Sequence, residues 1–452
     1  MSLISDETIV ALITPIGEAG VGVIRLSGLS SLSIGAKISR LDPSSILSHG
    51  VKLASFYDSK ANLIDEGLFL YMKAPRSFTG EDVIEFHCHG NMLIARKLIE
   101  TCLFLGARMA QPGEFSYRAF TNGRIDMAQA EAIQQLIRAK SELALQAAHQ
   151  QLQGGLSKTI SLFQAELTQQ AAILEAWVDF PEEGLEFASF EQMHERITTS
   201  QMQIQKLLNT YHDGHKIDQG LKLCLLGRPN VGKSSLMNAL LKKERSIVTE
   251  VAGTTRDVIE ENATLCGLNV ILSDTAGVRQ SNERIEQEGI RRTWLKVQEA
   301  DLVLWLLDAS EGLTSEDKEL EKLVPKSKSI LVWNKCDLKP SLIQDIKMST
   351  CQISAKHKDG LDELKDLISK TIWHQGPPKG DDIMLTSLRH KAALEEAVKS
   401  LGVVKQGLKD QLSAEFICSD MRSALQALAS IKGTDVTEDI ITAVFSTFCL
   451  GK

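Results

Sequence analysis

The segment Gly227-Arg228-Pro229-Asn230-Val231-Gly232-Lys233-Ser234 constrains this chain more than any other. It follows the apolar run LKLCLLG and opens KSSLMNALLKKE, so it joins a strand to a helix. Glycines at those positions let backbone N–H groups wrap a polyphosphate, Lys233 neutralises the terminal phosphates, and the Ser234 hydroxyl can ligate Mg²⁺. The surrounding residues, 220 to 375, alternate strands with helices: LNVILSD, a charged helix over 282–300, DLVLWLLDA, SILVWNKCD and TCQISA. That alternation predicts a mostly parallel sheet with helices on both faces.

The order of the following motifs sets the purine. Asn334-Lys335-Cys336-Asp337 ends SILVWNKCD, where a carboxylate can accept from two adjacent N–H donors on a guanine edge. Adenine presents no such pair, so GTP and GDP are favoured. Ser354-Ala355-Lys356 closes the next strand. Asp274-Thr275-Ala276-Gly277 follows LNVILS, placing Asp274 to hold the Mg²⁺ water shell and the Gly277 N–H to sense a γ-phosphate. In Gly253-Thr254-Thr255-Arg256-Asp257 a Thr hydroxyl can complete the Mg²⁺ sphere, with Thr255 the candidate. A Ras-type enzyme orients water with a Gln after Asp-x-x-Gly; Val278 stands there, and an aliphatic side chain cannot position water. Two residues can compensate. The Asn230 amide oxygen can hold a monovalent cation where an arginine finger would act, and Glu286 in NERIEQEGIRR can polarise a water. Taken alone, Glu286 reads as a solvated helix residue beside Arg and Lys rather than as a functional one.

The rest of the chain is of two kinds. Residues 7–112 hold short β-branched runs (ETIVALITP, GVGVIRLSG, DVIEFHCHG) broken by Gly and Pro, the pattern of an α+β domain, while 29–62 carries no sharp period. The proline-free stretches 113–180 and 379–452 are rich in strong helix formers and read as long helices. GHKIDQG (214–220) and GPPKGDD (376–382) look like linkers bracketing the α/β block, which makes that block an insertion if the flanking helices pack together. With Lys+Arg 50 against Asp+Glu 58, the net charge of -8 argues against a broad basic grip on nucleic acid, so any RNA contact is local or shared with a partner. Eight cysteines without a CxxC pair give no disulfide framework or zinc ribbon and point to the reducing cytoplasm. Apolar stretches are strand-sized, such as Leu302 to Leu307, and MSLISDETIV lacks a secretory pattern, so no membrane association is expected. On the alternating strand DVIEFHCHG, His87 and His89 face one way and Cys88 the other, which argues against a shared metal site.

The combination GRPNVGKSS, GTTRD, DTAG, NKCD and SAK with the terminal Phe448-Cys449-Leu450-Gly451-Lys452 resembles the MnmE (TrmE) family of bacterial tRNA modification GTPases. The resemblance extends to ETIVALITPIGEAGVGVIRLSG, SFTGEDVIEFHCHG and PGEFSYRAFTNGRIDMAQAEA near the N-terminus. It implies a multidomain α/β plus α+β chain: an N-terminal tetrahydrofolate-binding and dimerisation domain (1–118), a helical domain in two parts (119–216 and 380–452), and a Ras-like P-loop G domain inserted between them (217–379). Its implied nucleotide contacts are Asn230, Val231, Gly232, Lys233, Ser234, Ser235, Thr249, Glu250, Val251, Ala252, Gly253, Thr254, Thr255, Asp274, Thr275, Ala276, Gly277, Asn334, Lys335, Asp337, Ser354, Ala355 and Lys356. It implies K⁺ held by Asn230, the carbonyls of Thr249 and Val251, and Thr254, and Mg²⁺ held by Ser234 and Thr255. Hydrolysis would follow potassium-dependent pairing of two G domains, with Glu286 polarising the water.

The family also implies a homodimer and a heterotetramer with the FAD-bearing flavoprotein MnmG. Together they bind tRNA and add an aminomethyl or carboxymethylaminomethyl group to C5 of the wobble uridine. A tetrahydrofolate derivative supplies the carbon, and Arg25, Glu85, Arg124 and Lys452 match the folate-contacting positions, with Arg124 standing where many members carry Lys. Cys449 lies in the Cys-x-Gly-Lys tail assigned to the modification chemistry; by its local sequence it reads as a small buried apolar residue, though a cationic chain end favours thiolate. Two rivals share the nucleotide motifs: a regulatory or ribosome-assembly GTPase, and a folate-dependent transferase merely regulated by GTP.

Overall fold

A computed structural model of the protein describes residues 7–179, 189–241, 263–274, 294–338, 346–373, 376–379, 382–448 and 451. Two compact units result, one made of Met1–Gln134, Ser157–Ser161 and Leu428–Lys452, the other of Gln135–Leu156 and Leu162–Ala427. The chain is multidomain, α/β plus α+β.

The first unit is built on a six-stranded sheet of β1 (Ile9–Leu12), β2 (Ala19–Ser27), β3 (Val51–Tyr57), β4 (Leu63–Met72), β5 (Val83–Gly90) and β6 (Arg108–Met109), in the order β3-β4-β5-β2-β1-β6. All neighbours are antiparallel except β1 and β6. Alternation along a strand sends successive side chains to opposite faces. Val10 accordingly joins the cluster of Phe56, Phe69 and Phe86 with Leu98, whereas Ile9 and Ala11 join Phe115 and Ala110. The three phenylalanines meet edge to face, with Phe86 at 5.1 Å from Phe56 and 5.8 Å from Phe69. Within 29–62, where the sequence carries no clear period, lie the helix Ser31–Ser39 and strand β3.

A charged network stands on the Phe115 side. Glu114, wholly buried, accepts from Arg108 (Nη1 2.8 Å, Nη2 2.6 Å), from Arg118 Nη2 (3.1 Å) and from the Gln111 N–H (2.9 Å). Arg118 reaches on to Glu81, whose Oε2 also accepts from the Ser27 hydroxyl at 2.6 Å. Burying charges is tolerable only when each is paired and hydrogen-bonded, which this chain of contacts achieves.

The second unit contains β7 (Leu221–Leu226), β8 (Ala263–Leu265), β9 (Leu268–Asp274), β10 (Leu302–Asp308), β11 (Ser329–Asn334) and β12 (Thr350–Gln352), in the order β12-β11-β10-β7-β9-β8. Every pairing is parallel except β8 with β9. β10 and β11 are buried at every residue, which explains their unbroken apolar runs: a parallel sheet covered on both faces needs no polar side. Leu302, Leu304 and Leu306 enter the core with Leu223 and Leu225, while Val303, Trp305 and Leu307 enter the opposite one with Trp333. Of the charged helix expected over 282–300, 294–299 is helical and 282–293 lies outside the described residues.

Two expectations need correction. The stretches read as long helices are divided: 113–180 into Glu114–Thr121, Met127–Arg138, Glu142–Leu152 and Gly155–Asp179, and 379–452 into Leu388–Lys409, Ala414–Lys432 and Glu438–Ser446. The break before Gly155 turns on Gly154 at φ 80°, a conformation that costs glycine little. The segment 214–220 is not a linker; it belongs to the helix Tyr211–Gln219. Its Lys216 points inward, donating through Nζ at 2.5 Å to the carbonyl of Ile372, the last residue of the helix Leu361–Ile372, while His215 and Gln219 are exposed. A cation there satisfies an orphan carbonyl and complements the helix dipole, worth roughly 1 kcal/mol.

The Glu114 network makes a pH prediction. Burial raises the Glu114 carboxyl, but Arg108, the Gln111 N–H and Arg118 outweigh it and hold its pKa below the ordinary value. Its stabilisation is therefore complete above the unfolded-state pKa of about 4.3 and is lost as pH falls through the lower folded value. Glu114→Gln is expected to cost about 3 kcal/mol at pH 7, because two arginines lose a buried partner. Guanidinium unfolding of variant and wild type then gives midpoints that converge as pH falls through the folded value.

Candidate nucleotide site

The parallel strands bring their C-terminal ends to one edge of the sheet, where ligands of such sheets bind. β7 ends at Leu226, β9 at Asp274, β10 at Asp308 and β11 at Asn334, so the motifs read from sequence share that edge. β7 lies between β9 and β10, and the loop leaving it runs into the helix Lys233–Leu241.

The loop's shape is set by backbone geometry. Asn230 adopts φ 64° and Gly232 φ 99°. A β-carbon on Gly232 would strike the Asn334 side-chain amide, so the residue is glycine for space as well as for φ. Lys233 Nζ donates to the carbonyls of Gly227 (2.6 Å) and Arg228 (2.8 Å), bending the loop around its own ammonium. Asn230, Ser234 and Ser235 are exposed, and Val231 is buried beneath them in the leucine core. Four features fit a bound polyphosphate: positive φ, a lysine inside the turn, exposed hydroxyls and a helix N-terminus.

Asn334 joins the motifs together. Its Nδ2 donates to the Val231 carbonyl at 2.8 Å, and its Oδ1 accepts from the Ala355 N–H at 3.0 Å. One buried side chain thus ties the 227–234 loop to Ser354-Ala355-Lys356. Asp337 accepts from the Ser354 hydroxyl at 2.7 Å, and that bond, against the opposing effect of burial, lowers its pKa and keeps it an acceptor. Lys335, at φ 64°, places Nζ 2.6 Å from Asp308 Oδ2, while Lys356 is exposed.

Arg228 was not singled out by sequence reasoning. Its Nε lies 3.0 Å from both oxygens of the buried Asp317, and its Nη2 pairs with Glu311 at 2.9 Å. The legible signal was Thr314-Ser-Glu-Asp317, which forms a capping box at the helix Ser315–Glu321. Nothing in the sequence pointed from Asp317 to Arg228. Thr249, Glu250, Val251, Ala252, Gly253, Thr254, Thr255, Thr275, Ala276, Gly277, Glu286, Cys449 and Lys452 lie outside the described residues, and for Asp274 the strand end alone is described.

In the first unit, Arg25 and Glu85 are direct partners across β2 and β5, joined from Nε to Oε1 at 2.8 Å. His87 Nε2 is 3.1 Å from Glu85 Oε2, and the Arg25 guanidinium lies over the rings of Phe78 (5.4 Å) and Phe115 (5.7 Å). An oriented arginine and carboxylate beside aromatic rings suits a flat heterocycle with polar edges. Arg124 is exposed, its stem against Gly80, and among the described residues no hydrogen bond joins it to the Arg25 pair. Gly451 is buried against Leu12 and Ile13, next to Ala11, the strand partner of Arg25. His87 and His89 are more exposed than the buried Cys88 between them, and among the described residues no group of three or more His, Cys, Asp or Glu can hold a metal.

A family model described as the N-terminus of the GTP-binding protein TrmE matches residues 8–124, and one described as the MnmE helical domain matches residues 127–449. The chain is 51% identical to the tRNA modification GTPase MnmE of Protochlamydia amoebophila over 99% of its length and 98% of the relative's. It is 40% identical to that of Chlamydia caviae over 100% of both. Among solved structures, the G domain of T. maritima FeoB matches at 27% identity and a TM-score of 0.26, covering 34% of this chain and 99% of that one. With full-length relatives at this identity and family models running almost end to end, the chain belongs to the MnmE (TrmE) family of tRNA modification GTPases.

Proposed function

We propose that this chain binds and hydrolyses GTP and uses the cycle to drive modification of tRNA. The observation that carries the reading is Asn334, whose side chain bonds both Val231 and Ala355 and so holds three nucleotide motifs in one frame. In this reading Lys233 and the N–H groups of 230–235 take the phosphates, and Asp337 takes the guanine edge. Ser234 and Thr255 are the Mg²⁺ ligands, the ion supplying charge to the phosphate oxygens. Among the described residues no hydrogen bond occupies the Asn230 side chain, which leaves its oxygen free for K⁺ together with Thr249, Val251 and Thr254. Glu286 polarises the attacking water.

The finer function is the family's: homodimeric cytoplasmic protein, flavoprotein partner MnmG carrying FAD, and an aminomethyl or carboxymethylaminomethyl group added at C5 of the wobble uridine. The Arg25–Glu85 pair supports a tetrahydrofolate derivative as carbon donor, with Arg124 and Lys452 completing the contacts and Cys449 taking part in the chemistry. In this reading the chain divides into 1–118, 119–216, 217–379 and 380–452, beside family models that run over 8–124 and 127–449. No helix among the described residues is long and apolar enough to cross a membrane.

Three outcomes test this. GTP turnover in Na⁺ is expected to fall at least ~100-fold below that in K⁺, the size of a lost transition-state charge; equal rates in both salts remove the cation mechanism. Asn334→Ala leaves two buried backbone groups unpaired at about 1–3 kcal/mol each, so calorimetry is expected to show GDP affinity lowered by roughly 100-fold. Lys233→Ala in place of the wild-type gene is expected to leave wobble uridines unmodified in nucleoside analysis of cellular tRNA. Normal modification in that strain would favour a transferase only regulated by GTP.

A further inference from the structure

The ten residues that leave β10, Asp308 to Asp317, carry four carboxylates, and three of them, Asp308, Glu311 and Asp317, are turned toward a cation of a nucleotide motif. Asp308 is buried at the end of β10, opposite Asn334 in the strand register. Its Oδ1 accepts from the Ser310 N–H (2.9 Å) and hydroxyl (2.6 Å), which leaves Oδ2 facing Lys335 Nζ at 2.6 Å. Asp317 is held the same way: the Thr314 N–H (3.1 Å) and hydroxyl (2.7 Å) bond its Oδ2, while both its oxygens face Arg228 Nε. Glu311 pairs with the same guanidinium from the surface. The Arg228 carbonyl in turn accepts from Lys233.

This pattern is directional. Each buried carboxylate has its own local donors, so its orientation does not depend on the cation, whereas the cations sit on loops of left-handed or irregular backbone. A fixed carboxylate restricts a long, rotamer-rich side chain before any ligand arrives, which lowers the ordering cost of binding. We propose that Asp308 and Asp317 are positioning residues for the nucleotide: Asp308 sets Lys335 beside the base-recognition motif, and Asp317 sets Arg228 and, through its carbonyl, Lys233 in the phosphate loop. The inference rests on the nucleotide reading above and adds the loop after β10 to that site.

The test is a pair of double-mutant cycles on the full chain, read as the release rate of a fluorescent GDP derivative. Asp308→Asn keeps the side chain's volume and an oxygen for Ser310 while removing the charge that Lys335 meets. It is expected to speed release about tenfold, less than the loss of a fully buried charge pair because Lys335 is partly exposed. The effect is expected to vanish in a Lys335→Met background and to persist in an Arg228→Met background. Asp317→Asn is expected to show the reverse dependence. Release within twofold of wild type, or factors independent of which cation is removed, would mean that these carboxylates only stabilise the loop and overturns the proposal. If Asp308→Asn does not fold, Ser310→Ala keeps the carboxylate but frees its orientation; about threefold faster release is expected, and an unchanged rate overturns the assignment. A wild-type chain that retains no GDP derivative overturns the nucleotide reading and the positioning role together, whereas retention with flat cycles overturns the positioning role alone.

Discussion

The amide of Asn334 is the contact on which the nucleotide edge depends. Three loops leaving a parallel sheet have no hydrogen bonds of their own to share, since the ladder ends where they begin. A side chain with one donor and one acceptor, fixed on the last residue of β11, substitutes for that missing ladder by bonding Val231 on one side and Ala355 on the other. The glycine at 232 follows from the same contact, because the amide passes where a β-carbon would be. Loop conformation, strand register and residue choice are therefore one constraint seen at three levels.

The first unit uses charge differently. There the Glu114 carboxylate lies away from water with two arginines around it, and Glu81 and Ser27 extend the set to β2. Nearby, Arg25 and Glu85 form a second pair, packed against aromatic rings. Both arrangements hold an arginine in a fixed plane. In the first, Glu114 is wholly buried between its two arginines, whereas Glu85 shares its oxygens between Arg25 and the half-buried His87.

Much of this was legible in the amino-acid order because it is local. The run LKLCLLG followed by the phosphate-loop residues and a helix-forming segment specifies strand, turn and helix within twenty positions, and SILVWNKCD does the same for β11. What escaped was non-local. Arg228 finds Asp317 89 residues away, and Lys335 reaches back to Asp308, pairings that no periodicity announces. The segment 214–220 reads as a linker because a short run rich in His, Lys and Asp looks solvated, whereas its lysine is spent on the end of another helix. The divided helices were missed because helix formers dominate both stretches and the breaks rest on a few turn residues.

One further consequence follows from the two tryptophans inside the sheet. Trp305 lies three residues before Asp308, Trp333 immediately before Asn334, and both are fully buried in the same apolar cluster. Among the described residues, neither indole N–H has a hydrogen-bond partner. Indoles so buried are expected to emit to the blue of exposed ones and to respond to strain transmitted along β10 or β11. The chain carries its own optical gauge directly under the edge where its motifs converge.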